Sequence, residues 1–352
     1  MLLKKELKIA IKQLVNKIPI RNLFLYNNFG DIMKIPSYLN DNDYIGITAC
    51  SCGVLDKIDE YENSIKRLNN FNIVETDNVR TSGIVSSDKL VRAKELMKLY
   101  KNNNIKCILI ASGGDFLLEM LEDVDYDVIK NNIKWICGYS DPTSLLFSIT
   151  TKLDIATIYS PCNCSGFYND INIDNYLNIL KGNLVKQYKR DKYESIKGIG
   201  NEYNLDTDNI WLSNKDIDIS GRLIGGCIEN LKDIIGTKYD GTKDFINRYK
   251  DDGIIWYFDI FNLSSECLYN TLLQFKYAGY FDYTNLIVFS KVLFPNSYLN
   301  LEYEDVIKKA LGDINYIYKF DVGHVKPTFT MINGFKVRII NNNIESSMEY
   351  IN

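Results

Sequence analysis

Along most of the chain, short apolar runs alternate with segments whose apolar residues recur every three or four positions. Tyr44–Ala49 reads as a strand, Asp56–Leu68 as a helix and Ile73–Glu75 as a short strand. Ser86–Tyr100 reads as a helix, with Ser87 and Asp88 as cap candidates. Cys107–Ala111 and Lys134–Cys137 have the length and composition of buried strands, Pro142–Thr151 of a helix, and Ile155–Tyr159 of a further strand. Strands separated by helices in this way predict an α/β fold with a parallel sheet covered on both faces. The polar stretch 169–215 reads as a connector. Beyond it, Gly221–Gly226 leads into an amphipathic helix ending near Gly236, Ile254–Ile260 is a strand, Glu266–Tyr277 a helix and Asn285–Ser290 a strand. Alternation around Asn333-Gly334 predicts a hairpin. Two domains are expected, 33–168 and 216–352. Residues 1–32 form a separate N-terminal extension: Leu3, Leu7, Leu14 and Ile18 follow helical spacing, lysines occupy the other face, and Pro19 ends the pattern. It reads either as a basic amphipathic helix for a membrane surface or partner, or as an appendage packed on the body.

Composition narrows the classes. The 352 residues are 46% hydrophobic and 24% charged, with a net charge of -4 and no block of either sign. Nucleic acid is therefore not an expected partner. No run of 18 apolar residues exists, so no transmembrane helix is expected, and nothing reads as a secretory signal. Of eight cysteines, several lie inside apolar strand-like runs, which fits buried thiols in a reducing, cytoplasmic setting better than a disulfide framework. Metals find little to bind. Cys50-x-Cys52 and Cys162-x-Cys164 lack zinc-ligand spacing, and one histidine is all they could share. The run from Asp206 has Trp211 where a calcium loop needs glycine and Ile217 where it needs glutamate. No cofactor is expected.

Four places could carry chemistry. In Lys134-Trp135-Ile136-Cys137-Gly138-Tyr139-Ser140-Asp141-Pro142, a buried strand meets a helix start across a sharp turn. A serine held there is exposed at the carboxyl edge of the sheet, as in a nucleophile elbow, with the Asp141 amide free to meet an oxyanion. The same residues also suit a plain helix N-cap at Ser140, with Asp141 and Pro142 filling the first turn. After the strand at 107–111, Gly113-Gly114 let backbone amides approach a ligand, and Gly114 N–H is a second oxyanion donor; the bland alternative is a tight turn. His324, the only histidine, lies between Gly323 and Pro327 in an expected loop. No other imidazole can serve as a base near neutral pH, although a surface histidine without a role fits equally. Asp259 ends an apolar strand, where a carboxylate needs partners; it could orient a histidine or cap the next helix.

Taken together and in order, Gly113-Gly114, Glu119-Met120-Leu121, Gly138-Tyr139-Ser140-Asp141, Gly221-Arg222-Leu223-Ile224-Gly225-Gly226 and Gly323-His324 resemble the LD-carboxypeptidase family of serine peptidases. That family includes murein tetrapeptide carboxypeptidases and microcin C immunity peptidases. The resemblance runs from about residue 33 to the end. It implies Ser140 as nucleophile, His324 as base and, by counting 15 positions back from Gln274, Asp259 where the family has a glutamate. It also implies a site between an N-terminal α/β domain and a mixed C-terminal domain, and a homodimer. The family's arginine before the paired glycines is Ser112 here, and Glu119 looks more like the microcin branch. The expected activity is hydrolysis of an L,D-peptide bond in a muropeptide, releasing D-alanine through an acyl-enzyme. The alternatives are hydrolysis of peptidyl- or aminoacyl-nucleotide amides, and a catalytically weak peptide-binding protein on the same fold.

Overall fold

The computed structural model describes residues 33–161, 170, 172–194 and 204–351. The extension at 1–32 and the pair Cys162 and Cys164 lie outside the described residues. Residues from Met33 onward form one compact unit built on two sheets.

The first sheet contains β1 (Tyr44–Thr48), β2 (Asn72–Glu75), β3 (Ile105–Ile110), β4 (Trp135–Gly138) and β5 (Thr157–Tyr159). These pair in parallel in the order β5-β4-β3-β1-β2. Helices Ile58–Lys66, Lys89–Lys101 and Thr143–Leu153 run between them. Every residue of β4 is buried, and so is all of β3 except Lys106, which is why these strands read as near-continuous apolar runs. Asp88 caps its helix by accepting from Leu90 N at 2.9 Å.

The stretch 169–215 holds more structure than a connector. It contains helix Ile173–Leu180 and the two-residue strands β6 (Gln187–Tyr188), β7 (Lys192–Tyr193), β8 (Thr207–Asp208) and β9 (Leu212–Ser213). Strands this short carry too few side chains to show a period.

The second sheet is mixed. Its parallel centre is β10 (Ile217–Cys227), β11 (Ile254–Asp259), β12 (Thr284–Ser290) and β13 (Tyr316–Phe320). Helices Ile228–Ile234, Thr242–Tyr249, Ser265–Tyr277 and Tyr303–Leu311 connect these strands. β14 (Met331–Asn333), β15 (Lys336–Asn341) and β16 (Ser346–Tyr350) complete the chain.

The expected hairpin at Asn333-Gly334 is not formed. β14 pairs antiparallel with β5 of the first sheet, whereas β15 pairs with β10 of the second. Gly334, at φ +88°, turns the chain from one sheet to the other, and the C-terminal hairpin is instead β15–β16. Alternation along a strand reports two unlike faces, not the identity of the neighbouring strand. Because β14 crosses over, the sheets share one core, in which Phe147 of the first lobe stacks on Trp256 of the second with ring centroids 6.0 Å apart.

Candidate active site

The carboxyl ends of both parallel sheets meet. From the first sheet come Gly113 and Gly114 after β3, Ser140 after β4 and Tyr159 at the end of β5. From the second come Asp259 at the end of β11 and His324 after β13. Open α/β sheets place their sites at such strand ends because loops there converge on unfilled backbone donors.

Ser140 has φ +65°, a left-handed conformation that costs a non-glycine residue about 1–3 kcal/mol. The helix that follows starts at Thr143 with Pro142 at its N-cap, and no side chain caps it. The helix-cap reading of Ser140 is thereby overturned. Among the described residues the Ser140 hydroxyl has no hydrogen-bond partner, while its backbone N–H donates to Tyr159 Oη at 3.1 Å. Gly113 lies against the serine: a Cβ there would stand 3.3 Å from Ser140 Cβ and 3.5 Å from Oγ.

Tyr159 carries the connection onward. Its hydroxyl donates to Asp259 Oδ2 at 2.5 Å. Asp259 is fully buried, and a buried carboxylate must be paired or hydrogen-bonded. Its Oδ2 lies 2.8 Å from His324 Nδ1, although the ring nitrogen is not aligned as a hydrogen bond, and Oδ1 accepts from the His324 backbone N at 3.2 Å. The imidazole packs between two aromatic rings, Tyr139 at 4.9 Å and Phe261 at 4.8 Å between centroids. Asp259 does not cap the next helix; Ser264 does, accepting from Cys267 N. Ser140, Asp259 and His324, named from sequence, therefore meet in one bonded cluster, and Tyr159, which sequence reasoning missed, links them. The only sequence signal for Tyr159 was its place at the end of the strand after the serine helix.

Asp141 has a larger part than expected. Its side chain is buried, with Oδ2 accepting from Ser51 Oγ at 2.5 Å and Leu117 N at 2.9 Å, and Oδ1 from Asn230 Nδ2 at 3.2 Å. Burial raises its carboxyl above the ordinary 3.8, and the Ser51 and Leu117 donors act against that rise. Neither Asp141 N nor Gly114 N donates to another group among the described residues. Gly114 has φ +153°, and a Cβ there would overlap Ser51 Oγ, so the amide approaches the site only because the residue is glycine. Glu119 forms an ion pair with the buried Arg92, whose guanidinium also donates to Cys50 O and Phe116 O.

Burial holds the phenol and thiols around the site in their protonated forms. Burial, then the Asp259 charge, keeps the Tyr159 phenol well above its ordinary range, and burial, opposed by Arg92 and helped by the Asp141 charge, pushes the Cys50 thiol up to about 12. Cys227 is held well above its usual value by burial and then by Glu229. No group of three or more His, Cys, Asp or Glu that could hold a metal occurs among the described residues, and no helix there is long and apolar enough to cross a membrane. An unpaired hydroxyl on a strained turn, an imidazole backed by a buried carboxylate and two free amides can together support acyl transfer.

Comparison with known proteins defines the class. The family model for the LD-carboxypeptidase N-terminal domain matches residues 45–160, and that for the LD-carboxypeptidase C-terminal domain matches residues 220–339. The protein belongs to the LD-carboxypeptidase family, a family of peptidases. It is 28% identical over 278 residues to the microcin C7 self-immunity protein MccF of Escherichia coli, covering 74% of this chain and 79% of that one. A solved structure of MccF in complex with aspartyl sulfamoyl adenosine superposes with a TM-score of 0.76 at 24% identity, covering 91% of this chain and 99% of that chain. The muramoyltetrapeptide carboxypeptidase of Oxalobacter formigenes gives a TM-score of 0.69 at 16% identity, covering 88% and 99%. The two-sheet fold is thus shared with both.

Proposed function

We propose that the protein is a serine-type carboxypeptidase that hydrolyses the L,D-peptide bond of a muropeptide tetrapeptide and releases D-alanine. The observation that carries this reading is the bonded chain from Ser140 N through Tyr159 and Asp259 to His324, with the Ser140 hydroxyl left free at its end. His324 takes the Ser140 proton as Oγ attacks the scissile carbonyl carbon, and Asp259 stabilises the imidazolium. The amides of Gly114 and Asp141 receive the negative charge on the carbonyl oxygen. The Ser140 amide cannot do so, because Tyr159 occupies it. When the C–N bond breaks, His324 returns the proton to the leaving amine. Water then attacks the Ser140 ester, His324 takes a proton from it, and collapse frees the shortened peptide and restores the serine.

A second reading is hydrolysis of a peptidyl- or aminoacyl-nucleotide amide. It is favoured by the wider match to MccF, which has been solved with aspartyl sulfamoyl adenosine and with glutamyl sulfamoyl guanosine. Cysteines buried within apolar strands and their flanks, such as Cys50 and Cys227, support a cytoplasmic setting for either reaction, and a homodimer goes with the family assignment. Incubation with an L,D-tetrapeptide and with an aminoacyl-sulfamoyl adenosine, read by mass spectrometry, separates the readings. Loss of D-alanine from the tetrapeptide is expected, and Ser140→Ala should abolish it. Cleavage of the adenosine conjugate alone would replace the first reading with the second. Cleavage of neither, with no labelling of Ser140 by a fluorophosphonate, would leave a peptide-binding protein.

A further inference from the structure

We propose that Tyr159 is a positioning residue of the catalytic apparatus, which fixes the backbone of the nucleophile and moderates the basicity of His324 through one shared hydroxyl. This rests on the serine-hydrolase reading above. The hydroxyl does two things at once: it accepts from Ser140 N at 3.1 Å and donates to Asp259 Oδ2 at 2.5 Å. The first bond holds a serine whose left-handed φ the chain would otherwise relax. The second withdraws charge from the same oxygen that lies 2.8 Å from His324 Nδ1. A carboxylate that already accepts a strong hydrogen bond raises the proton affinity of a neighbouring imidazole less than a bare one does. Tyr159 can do this only as a neutral phenol, and its complete burial beside a carboxylate keeps it so. Its ring is fixed by Tyr257 at 5.5 Å and Tyr139 at 6.3 Å between centroids, so loss of the hydroxyl alone leaves the packing in place.

The other groups facing this cluster do not compete for the effect. Cys227 and Tyr257 both sense the Asp259 charge, and burial holds both neutral. Glu229 stands one step further away, bonded to Cys227 Sγ and to the loop after β11.

The test uses the full chain and a fluorophosphonate, with the second-order labelling rate of Ser140 followed against pH. Its acid limb reports protonation of the base. Tyr159→Phe should lower the plateau rate by about tenfold to a hundredfold and move the acid limb up by about half a pH unit or more. Replacing Tyr159 with 3-fluorotyrosine, which keeps the bonds but donates more strongly, should hold the plateau within about threefold and move the limb down. Opposite movements are what a purely structural tyrosine would not produce. Wild-type rate and an unshifted limb in Tyr159→Phe, or loss of rate in both variants without a shift, would overturn the proposal while leaving the serine-hydrolase reading intact. If Tyr159→Phe is unfolded by circular dichroism, the fluorotyrosine protein alone decides, and an unmoved limb overturns the proposal. Failure of wild-type protein to label overturns both.

Discussion

A methyl group at position 323 would overlap Asp259 Oδ1, and the backbone there has φ +89°, so two independent constraints require glycine beside His324. Gly323→Ala should therefore move the Asp259 carboxylate or the histidine loop. Its expected signature is loss of Ser140 labelling by more than about a hundredfold, together with a stability loss of about 1–3 kcal/mol in urea unfolding. Gly113→Ala probes the opposite case. The added methyl would press on Ser140 Cβ at 3.3 Å without a φ between +20° and +160° to forbid it. Its thermal midpoint should change little while turnover falls about tenfold, because the crowding falls on the nucleophile. Ser140 and His324 were legible in the sequence because each sits in a short motif whose backbone needs show in its glycines. Asp259 was legible as a carboxylate at the end of an apolar strand, and the family pattern chose between orienting a histidine and capping a helix. Tyr159 showed nothing beyond its place at a strand end: its two partners are 19 and 100 positions away, and only the pairing of β4 with β5 and the meeting of the two sheets bring them together.

At the scale of an element, the loop after β11 depends on a helix from the preceding crossover. Glu229, in the first turn of helix Ile228–Ile234, accepts with one oxygen from the backbone N–H groups of Phe261, Asn262 and Leu263 at 2.9, 2.9 and 3.0 Å. That loop carries Phe261, which packs on His324 and on Phe294 at 5.2 Å. Glu229→Ala leaves three amides without their acceptor, and solvent can satisfy them only if the loop opens. A loss of about 1.5–3 kcal/mol in urea unfolding is expected, with a fall in kcat that exceeds any change in KM, since the histidine loses its ring support. An unchanged kcat in the folded variant would separate Phe261 from catalysis. The helix was foreseen from its apolar period and Glu229 was not, because a side-chain cap of a distant loop leaves no local pattern. The same limit explains the misread Asn333-Gly334 turn, where local alternation suits a hairpin and a sheet-to-sheet crossover equally.

At the scale of the molecule, the two lobes are joined by buried polar contacts as well as by the shared core. Asn333 on β14 accepts from Gly225 N and Tyr257 Oη and donates to Thr157 Oγ1, while Thr143 Oγ1 accepts from Cys227 N. Asp141 is a joint of the same kind, since Ser51, Leu117 and Asn230 come from three separate segments of the two lobes. Asp141→Ala strands all three donors and should cost about 2–4 kcal/mol. Asp141→Asn is different. Its carbonyl oxygen can keep the Ser51 and Leu117 bonds, and the Asn230 amide can turn to accept from the new NH2, so stability at neutral pH should stay within about 1 kcal/mol of the wild type. The pH dependence then separates the two residues. Because the native carboxyl of Asp141 is raised above 3.8, the folded state binds its proton more tightly than the unfolded state does. Its contribution is therefore full below the unfolded value and declines as pH rises through the native one. The difference in unfolding free energy, wild type minus Asp141→Asn, should fall between pH 4 and neutrality. A flat or rising difference would mean that the Ser51 and Leu117 donors outweigh burial and that the joint is an ordinary ionised carboxylate.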